Sequence, residues 1–276
     1  MQDIEVNQGV EALPPPRVKR SSWTIQKTVL FALILRELKT RFGEHRLGAV
    51  WLLLEPTLHI TLLLLVFSFI GGRGFYNFSF PVFLLTGIVP FLLFKNIALR
   101  VMDGVDANKA LFAYRHVKPM DAFVARALLE FTLYVAVFFV MSAAFVWMGI
   151  QITLVKPLEF AVVMMVLGVL GLGLGLIFGV IAHAFPPMRL LIRLSFMPLY
   201  FISGIFFPIT VIPVEYRSWL MWNPLLHAIE LSRSSFSPLY HLDQGISLGY
   251  VFAAAILSLF VGFWLYRQRR LAMVAS

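Results

Sequence analysis

The chain contains no cysteine and little charge. Without a thiol it forms no disulfide and offers no Cys-based metal or redox centre. Charged residues fill only 13% of its 276 positions, against about 25% in a soluble domain, which excludes an ordinary water-facing surface. Catalytic signatures are missing as well. No Gly-x-x-x-x-Gly-Lys-Ser/Thr run occurs to cradle a nucleotide, and neither His-Glu-x-x-His nor Gly-x-Ser-x-Gly is present. The histidines, His45, His59, His116, His183, His227 and His241, are scattered, with no pair at metal-ligand spacing. The chain therefore reads as non-enzymatic, without catalytic residue, metal or cofactor of its own. Energy for any active transport must come from an ion gradient or a separate ATPase.

What the sequence has is apolar length. Hydrophobic residues make up 60% of it, and mean hydropathy is +0.85. Six stretches, 49–70, 78–98, 123–150, 158–184, 190–208 and 246–266, are each near the about 20 helical residues that cross a hydrocarbon core of about 30 Å. Backbone groups in lipid must bond within their own segment, so the stretches are helices. They are continuously apolar and do not alternate, which excludes a β-barrel. The expected fold is all-α: a polytopic membrane protein with six transmembrane helices, an N-terminal amphipathic interface helix and re-entrant periplasmic helices before the last span.

Lys and Arg placement sets the orientation. Arg17, Lys19, Arg20, Lys27, Arg36, Lys39, Arg41 and Arg46 precede the first stretch, and Arg100, Lys109, Arg115, Lys118 and Arg126 lie between the second and third. Arg189 and Arg193 follow the fourth stretch, and Arg267, Arg269 and Arg270 the sixth, so eighteen of the 23 basic residues share one side. Both termini are thus expected on the cytoplasmic side of the membrane. The net charge of +9 is a topology signal, not a mark of nucleic-acid binding.

Residues 1–22 run from acidic to proline-rich, unlike a signal peptide, and read as an extended cytoplasmic tail. In 23–44, Leu30, Ile34, Leu38 and Phe42 recur every four positions, while Lys27, Arg36, Lys39 and Arg41 take other faces. This is an amphipathic helix for the membrane interface, either anchoring the first span or also meeting a partner or lipid headgroup. Residues 45–270 form the transmembrane domain. Early in its first span, Glu55 and His59 share a face, four apart. Glu55 pairs with a nearby Arg or with His59, or it touches substrate. In the fourth span Gly171, Gly175 and Gly179 repeat every four residues, which suits close helix packing. No strand precedes them, so they are not a nucleotide loop. Segment 208–243 is too apolar for a free loop, with Trp219, Met221, Trp222 and Leu225, yet Pro208, Pro213 and Pro224 break it. It forms short re-entrant helices or an aromatic belt on the outer surface.

Three sets of residues carry a family resemblance. Arg36-Glu37-Leu38-Lys39-Thr40-Arg41-Phe42-Gly43, followed by Leu47-Gly48-Ala49-Val50-Trp51-Leu52-Leu53-Leu54-Glu55-Pro56, resembles polysaccharide-export permeases of the ABC-2 type. Phe201-Ile202-Ser203-Gly204-Ile205-Phe206-Phe207-Pro208, with Trp222-Asn223-Pro224-Leu225, is similar to the outer-gate segment of that family. Ala107-Asn108-Lys109-Ala110-Leu111 and Val117-Lys118-Pro119-Met120-Asp121 resemble the inner loop of capsule-exporting members. The likeness runs over roughly 23–270.

The resemblance implies the permease subunit of an ABC exporter that moves lipid-linked acidic capsular polysaccharide from cytoplasm to periplasm across the inner membrane. It implies a homodimer with two copies of an ABC ATPase, which binds ATP and Mg, and periplasmic and outer-membrane capsule export proteins as further partners. O-antigen and teichoic-acid exporters share the plan. An ion-coupled secondary transporter or channel is the reading of a different class. It calls for several polar residues at mid-membrane, and the spans hold few, chiefly Glu55, Lys95 and Glu130. On the exporter reading, Arg36, Lys39, Arg41 and Arg46 meet the anionic substrate at the cytoplasmic mouth, with Glu55 nearby. Tyr216, Trp219 and Trp222 line its exit. The alternative is that the cations bind bilayer lipid and the aromatics mark the interface. Asp106, Asn108, Lys109, Tyr114, Arg115 and Lys118 form the loop that docks the ATPase, or a solvated loop that only enforces topology.

Overall fold

The computed structural model describes residues 21–42, 47–70, 79–104, 107 and 118–275. These residues are helical throughout their regular structure. Helices α1 (Ser22–Phe42), α2 (Leu47–Ile70), α3 (Phe80–Met102), α4 (Pro119–Trp147), α5 (Pro157–Ala184) and α6 (Met188–Ile202) come first. The short α7 (Val214–Leu220) and α8 (Pro224–Ser234) follow, and α9 (Leu248–Ala275) closes the chain. Proline opens α3, α4, α5 and α8, where its missing N–H leaves no intrahelical bond unmade.

Four helices are long and apolar enough to cross a membrane: Phe80–Met102, Pro119–Trp147, Pro157–Ala184 and Leu248–Arg270. They fall on four of the six expected stretches. The stretch 49–70 falls on α2. The stretch 190–208 is divided, because α6 stops after 15 residues at Ile202. A turn follows in which Gly204 has φ +72°, a left-handed conformation that glycine adopts without penalty. Fifteen residues reach about 22 Å, short of the about 30 Å core.

The centre is α3, buried on every face from Val82 to Phe94, as suits a helix that is apolar all round. Against it lies α5, at backbone distance. A Cβ on Gly171 would meet the Phe94 carbonyl oxygen at 3.0 Å, and one on Gly175 the Ala98 carbonyl oxygen at 2.8 Å. Gly179 is looser, at 3.5 Å from the Met102 carbonyl oxygen. The opposite face of α5 is as close to α9: a Cβ on Gly173 would stand 2.5 Å from the Leu259 amide nitrogen, and one on Gly262 2.6 Å from the Gly173 carbonyl oxygen. Small residues permit such approach, so α3, α5 and α9 form one slab. Helix α1 packs along α4, α2 and α6 lie against the edge of α3, and α8 tucks over α3, α5 and α9.

Segment 208–243 is split in character. α7 has no buried residue, whereas α8 is buried along its length from Leu225 to Ser234. Asn223 caps α8 by accepting from the Leu225 amide at 3.0 Å, and its Nδ2 donates to the Ser203 hydroxyl at 3.1 Å, which ties the helix start to the turn after α6.

Candidate functional site

A groove of about 410 Å³ runs between α2, α3 and α6, lined by His59, Phe91, Leu92, Lys95, Leu99, Arg193, Phe196, Met197, Tyr200, Phe201 and Phe206. α3 and α6 are antiparallel here, with Phe91 near Tyr200 and Asp103 near Arg193. One end of the groove is aromatic. The Tyr200 hydroxyl and His59 Nε2 share a hydrogen bond of 2.9 Å, and their rings stack with centroids 5.1 Å apart. Phe91 meets Tyr200 edge-on at 5.0 Å. Phe206 does the same at 5.2 Å and stacks on the half-exposed Phe201. The other end is cationic. Lys95 Nζ lies 3.3 Å from Glu55 Oε1, and Arg193 Nη2 donates to Asp103 Oδ2 at 2.7 Å. Ring faces beside hydroxyl and ammonium donors suit a ligand with apolar faces and hydroxyl rims.

A second cavity, of about 330 Å³, lies between α1, α3 and α4 and is lined by Glu37, Thr40, Arg41, Arg100, Arg126, Leu129 and Glu130. Arg41 pairs directly with Glu130. Arg126 Nε donates to Glu37 Oε1 at 2.8 Å and its Nη1 to the Arg100 carbonyl at 2.9 Å. Arg100 Nε stands 3.5 Å from Glu130 Oε1.

The sequence-predicted residues divide accordingly. Arg41 enters the second cavity. Arg36 donates to the Ala107 carbonyl at 3.4 Å, and Lys39 is exposed on α1. Glu55 is not among the residues that line the groove; it pairs with Lys95, which does line it, and not with an Arg or His59, because His59 is turned to Tyr200. Tyr216 and Trp219 are on α7, with Trp219 77% exposed. Trp222 is in the turn after α7, where its carbonyl accepts from the Tyr250 hydroxyl at 2.6 Å. None of the three aromatics lines the groove. Lys118 starts α4, its amide donating to Asp121 Oδ2 at 3.1 Å. Arg46, Asp106, Asn108, Lys109, Tyr114 and Arg115 lie outside the described residues. Gly171 and Gly175 hold α5 against α3, as described above, with Gly179 at the looser end.

Sequence reasoning missed Phe91 and Tyr200, which look like ordinary core residues until the helices meet, and met Phe206 only within the outer-gate stretch. It also missed a clamp on segment 208–243. Arg233 is wholly buried. Its Nη1 donates to the Gly204 carbonyl at 2.7 Å, its Nη2 to the Ile205 carbonyl at 2.8 Å, and its guanidinium lies 3.6 Å from the Phe83 ring centroid. Glu230 stands 3.2 Å from it and accepts from the Tyr240 hydroxyl at 2.9 Å. Burial pushes the Tyr240 hydroxyl up from its ordinary value, so it stays a proton donor. The clamp fastens the turn after α6 to α8 and α3. The available signal was Glu230-x-x-Arg233, one helical turn apart. Among the described residues, no cluster of three His, Asp or Glu side chains could hold a metal ion.

Residues 28–237 match the ABC-2 type transporter family. The chain is 44% identical over 258 residues to the polysialic acid transport protein KpsM of Escherichia coli, covering 93% of this chain and 99% of that one. It is 27% identical over 227 residues to the capsule polysaccharide export inner-membrane protein CtrC of Neisseria meningitidis serogroup B, covering 79% and 83%. It is 29% identical over 222 residues to the capsule polysaccharide export inner-membrane protein BexB of Haemophilus influenzae, covering 79% and 82%. A match across most of the chain, together with near full-length identity of this size, makes the protein a member of the ABC-2 type transporter family.

Proposed function

We propose that this chain is the transmembrane permease subunit of an ATP-driven exporter that moves lipid-linked capsular polysaccharide from cytoplasm to periplasm. The observation that carries the proposal is the 44% identity to a polysialic acid transport protein along 93% of the chain. In this reading α2 joins the four long helices as a span, α6 together with the turn that follows it to Pro208 makes the remaining crossing, both termini are cytoplasmic, and α7 and α8 form the outer gate segment. Two permeases pair, and two ATPases, carrying ATP and Mg, dock on the 106–118 loop. Pairing along α2 and α6 would make the groove half of a shared path. Its rings would stack on sugar faces, and its cationic end would attract an acidic polymer.

The test is export in a strain whose own permease gene is deleted. The unaltered chain restores surface polymer. Phe201→Ala and Lys95→Ala are expected to lower export about fivefold, the effect of about 1 kcal/mol of lost contact, with membrane level and ATPase association unchanged. Unchanged export in both variants would move the path away from this groove.

A further inference from the structure

We infer that Glu55 determines which sugars the groove accepts: its carboxylate holds the place on Lys95 that a sugar carboxylate takes over, so acidic sugars exchange with it and neutral ones do not. The inference deepens the exporter reading and rests on its placing of the polymer path in this groove.

The arrangement of charge carries the argument. Among the described residues, the groove wall holds two cations, Lys95 and Arg193, and no carboxylate. Each cation is met by a carboxylate that stands outside the wall. Glu55 Oε1, from α2, is 3.3 Å from Lys95 Nζ, and Asp103 Oδ2, at the end of α3, is 2.7 Å from Arg193 Nη2. The first pair stays partly wet, with the Lys95 side chain 26% exposed and that of Glu55 33%. Its separation is longer than the about 2.7–2.9 Å of a strong charge-assisted hydrogen bond. An ammonium also has three donors. Glu55 therefore neutralises Lys95 without closing it off.

Passage of a polymer gives the pair its use. Lys95 lies within the candidate span Phe80–Met102. A bare ammonium there would attract a carboxylate strongly, because a low dielectric screens it little. A polymer carrying such a carboxylate would enter and then stay. Conduction requires binding that is favourable enough to enter and weak enough to leave. With Glu55 at hand, Lys95 trades one carboxylate for another and is never bare, so each acidic sugar is handed on. A neutral sugar offers Lys95 only hydroxyls, which are weaker partners than an ionised group, and leaves Glu55 in place. The aromatic end of the groove reads ring faces, which acidic and neutral sugars share.

The permease–ATPase complex in phosphatidylcholine nanodiscs is titrated with trigalacturonate, which carries carboxylates, and with maltotriose, which does not. Binding is read by native mass spectrometry. The unaltered complex is expected to prefer trigalacturonate. Glu55→Gln keeps the shape of the side chain and removes the competing charge. It is expected to bind trigalacturonate about fivefold more tightly, the upper value for a part-exposed ion pair, and to leave maltotriose unchanged. Export should fall in the same variant, because the polymer is released more slowly. Two other roles for Glu55 give different signs. If it only holds Lys95 in position, Glu55→Gln weakens trigalacturonate; if it bonds sugar hydroxyls, both probes weaken. Either result overturns the inference, as does unchanged trigalacturonate binding or an unaltered complex without preference. Should Glu55→Gln fail to assemble, Glu55→Asp decides: it keeps the charge but shortens its reach, and trigalacturonate should bind about twofold more tightly. Unchanged or weaker binding there overturns the inference too. If the titration fails while Lys95→Ala still lowers export, the inference falls and the exporter reading stands.

Discussion

Arg126 on α4 donates to Glu37 on α1 at 2.8 Å, and one helical turn further along both helices Arg41 and Glu130 repeat the pair with the signs exchanged. The order is Glu then Arg on α1, and Arg then Glu on α4, so a slip of one turn would set like charges together. The two pairs thus select a register as well as a contact. Arg126→Ala leaves Glu37, whose side chain is 12% exposed, with a poorly hydrated charge. We expect a loss of about 3 kcal/mol, toward the low end for a broken buried pair, seen as a lower unfolding temperature in detergent. Adding Glu37→Gln to that variant should recover part of the loss. A double variant no better than the single one would show that the pairing is not the source.

The Arg233 clamp predicts a larger effect. Arg233→Ala leaves Glu230 and two carbonyls buried without their partner, with an expected cost of about 3–5 kcal/mol and little protein in the membrane. Arg233→Lys should fare only slightly better, since an ammonium cannot span the Gly204 and Ile205 carbonyls as a planar fork does. Thermal unfolding and membrane level are the measurements. Wild-type values in Arg233→Ala would remove the clamp from the account.

Within α5 the glycines should differ by position. Gly175→Ala drives a methyl to 2.8 Å from a backbone oxygen and should cost about 1–3 kcal/mol. Gly179→Ala meets only ordinary contacts and should change stability by less than about 0.5 kcal/mol. Unfolding temperatures that rank the two variants the other way would contradict the described helix approach.

Topology can be read by single-cysteine labelling, which has no native background in this chain. Ala113→Cys should resist an impermeant maleimide in intact spheroplasts, and Ser218→Cys should react. Labelling at position 113 would reverse the orientation drawn from the basic residues.

Much of this architecture was legible in the sequence, but unevenly. Apolar runs announced α3, α4, α5 and α9 because a long span repeats one physical demand along its whole length. The four-residue spacing of Gly171 and Gly175 pointed to one close neighbour. Gly173, two positions out of phase, serves the opposite face, and its partner Gly262 lies in another helix, so local spacing could not announce a second contact. The site was harder still. Glu130 stood out as a charge in a span, yet its partner Arg41 is 89 positions away. His59 and Tyr200 are 141 apart. Arg233 is not among the eighteen basic residues that set the orientation, and its side chain is wholly buried. Periodicity reports which face is apolar; it does not report which distant residue that face will meet. The expected end of the fifth stretch at 208 likewise overlooked how Gly204 turns the chain.

The glycine contacts on both faces of α5 have a mechanical consequence. With backbone seated on backbone toward α3 and toward α9, those three helices have no side-chain cushion across which to slide. Phe91 and Lys95, borne by α3, are therefore mounted on a stiff plate. His59 and Tyr200 belong to α2 and α6, which meet the plate at its rim. On the exporter reading, widening the groove would displace the His59–Tyr200 wall and leave the wall borne by α3 in place.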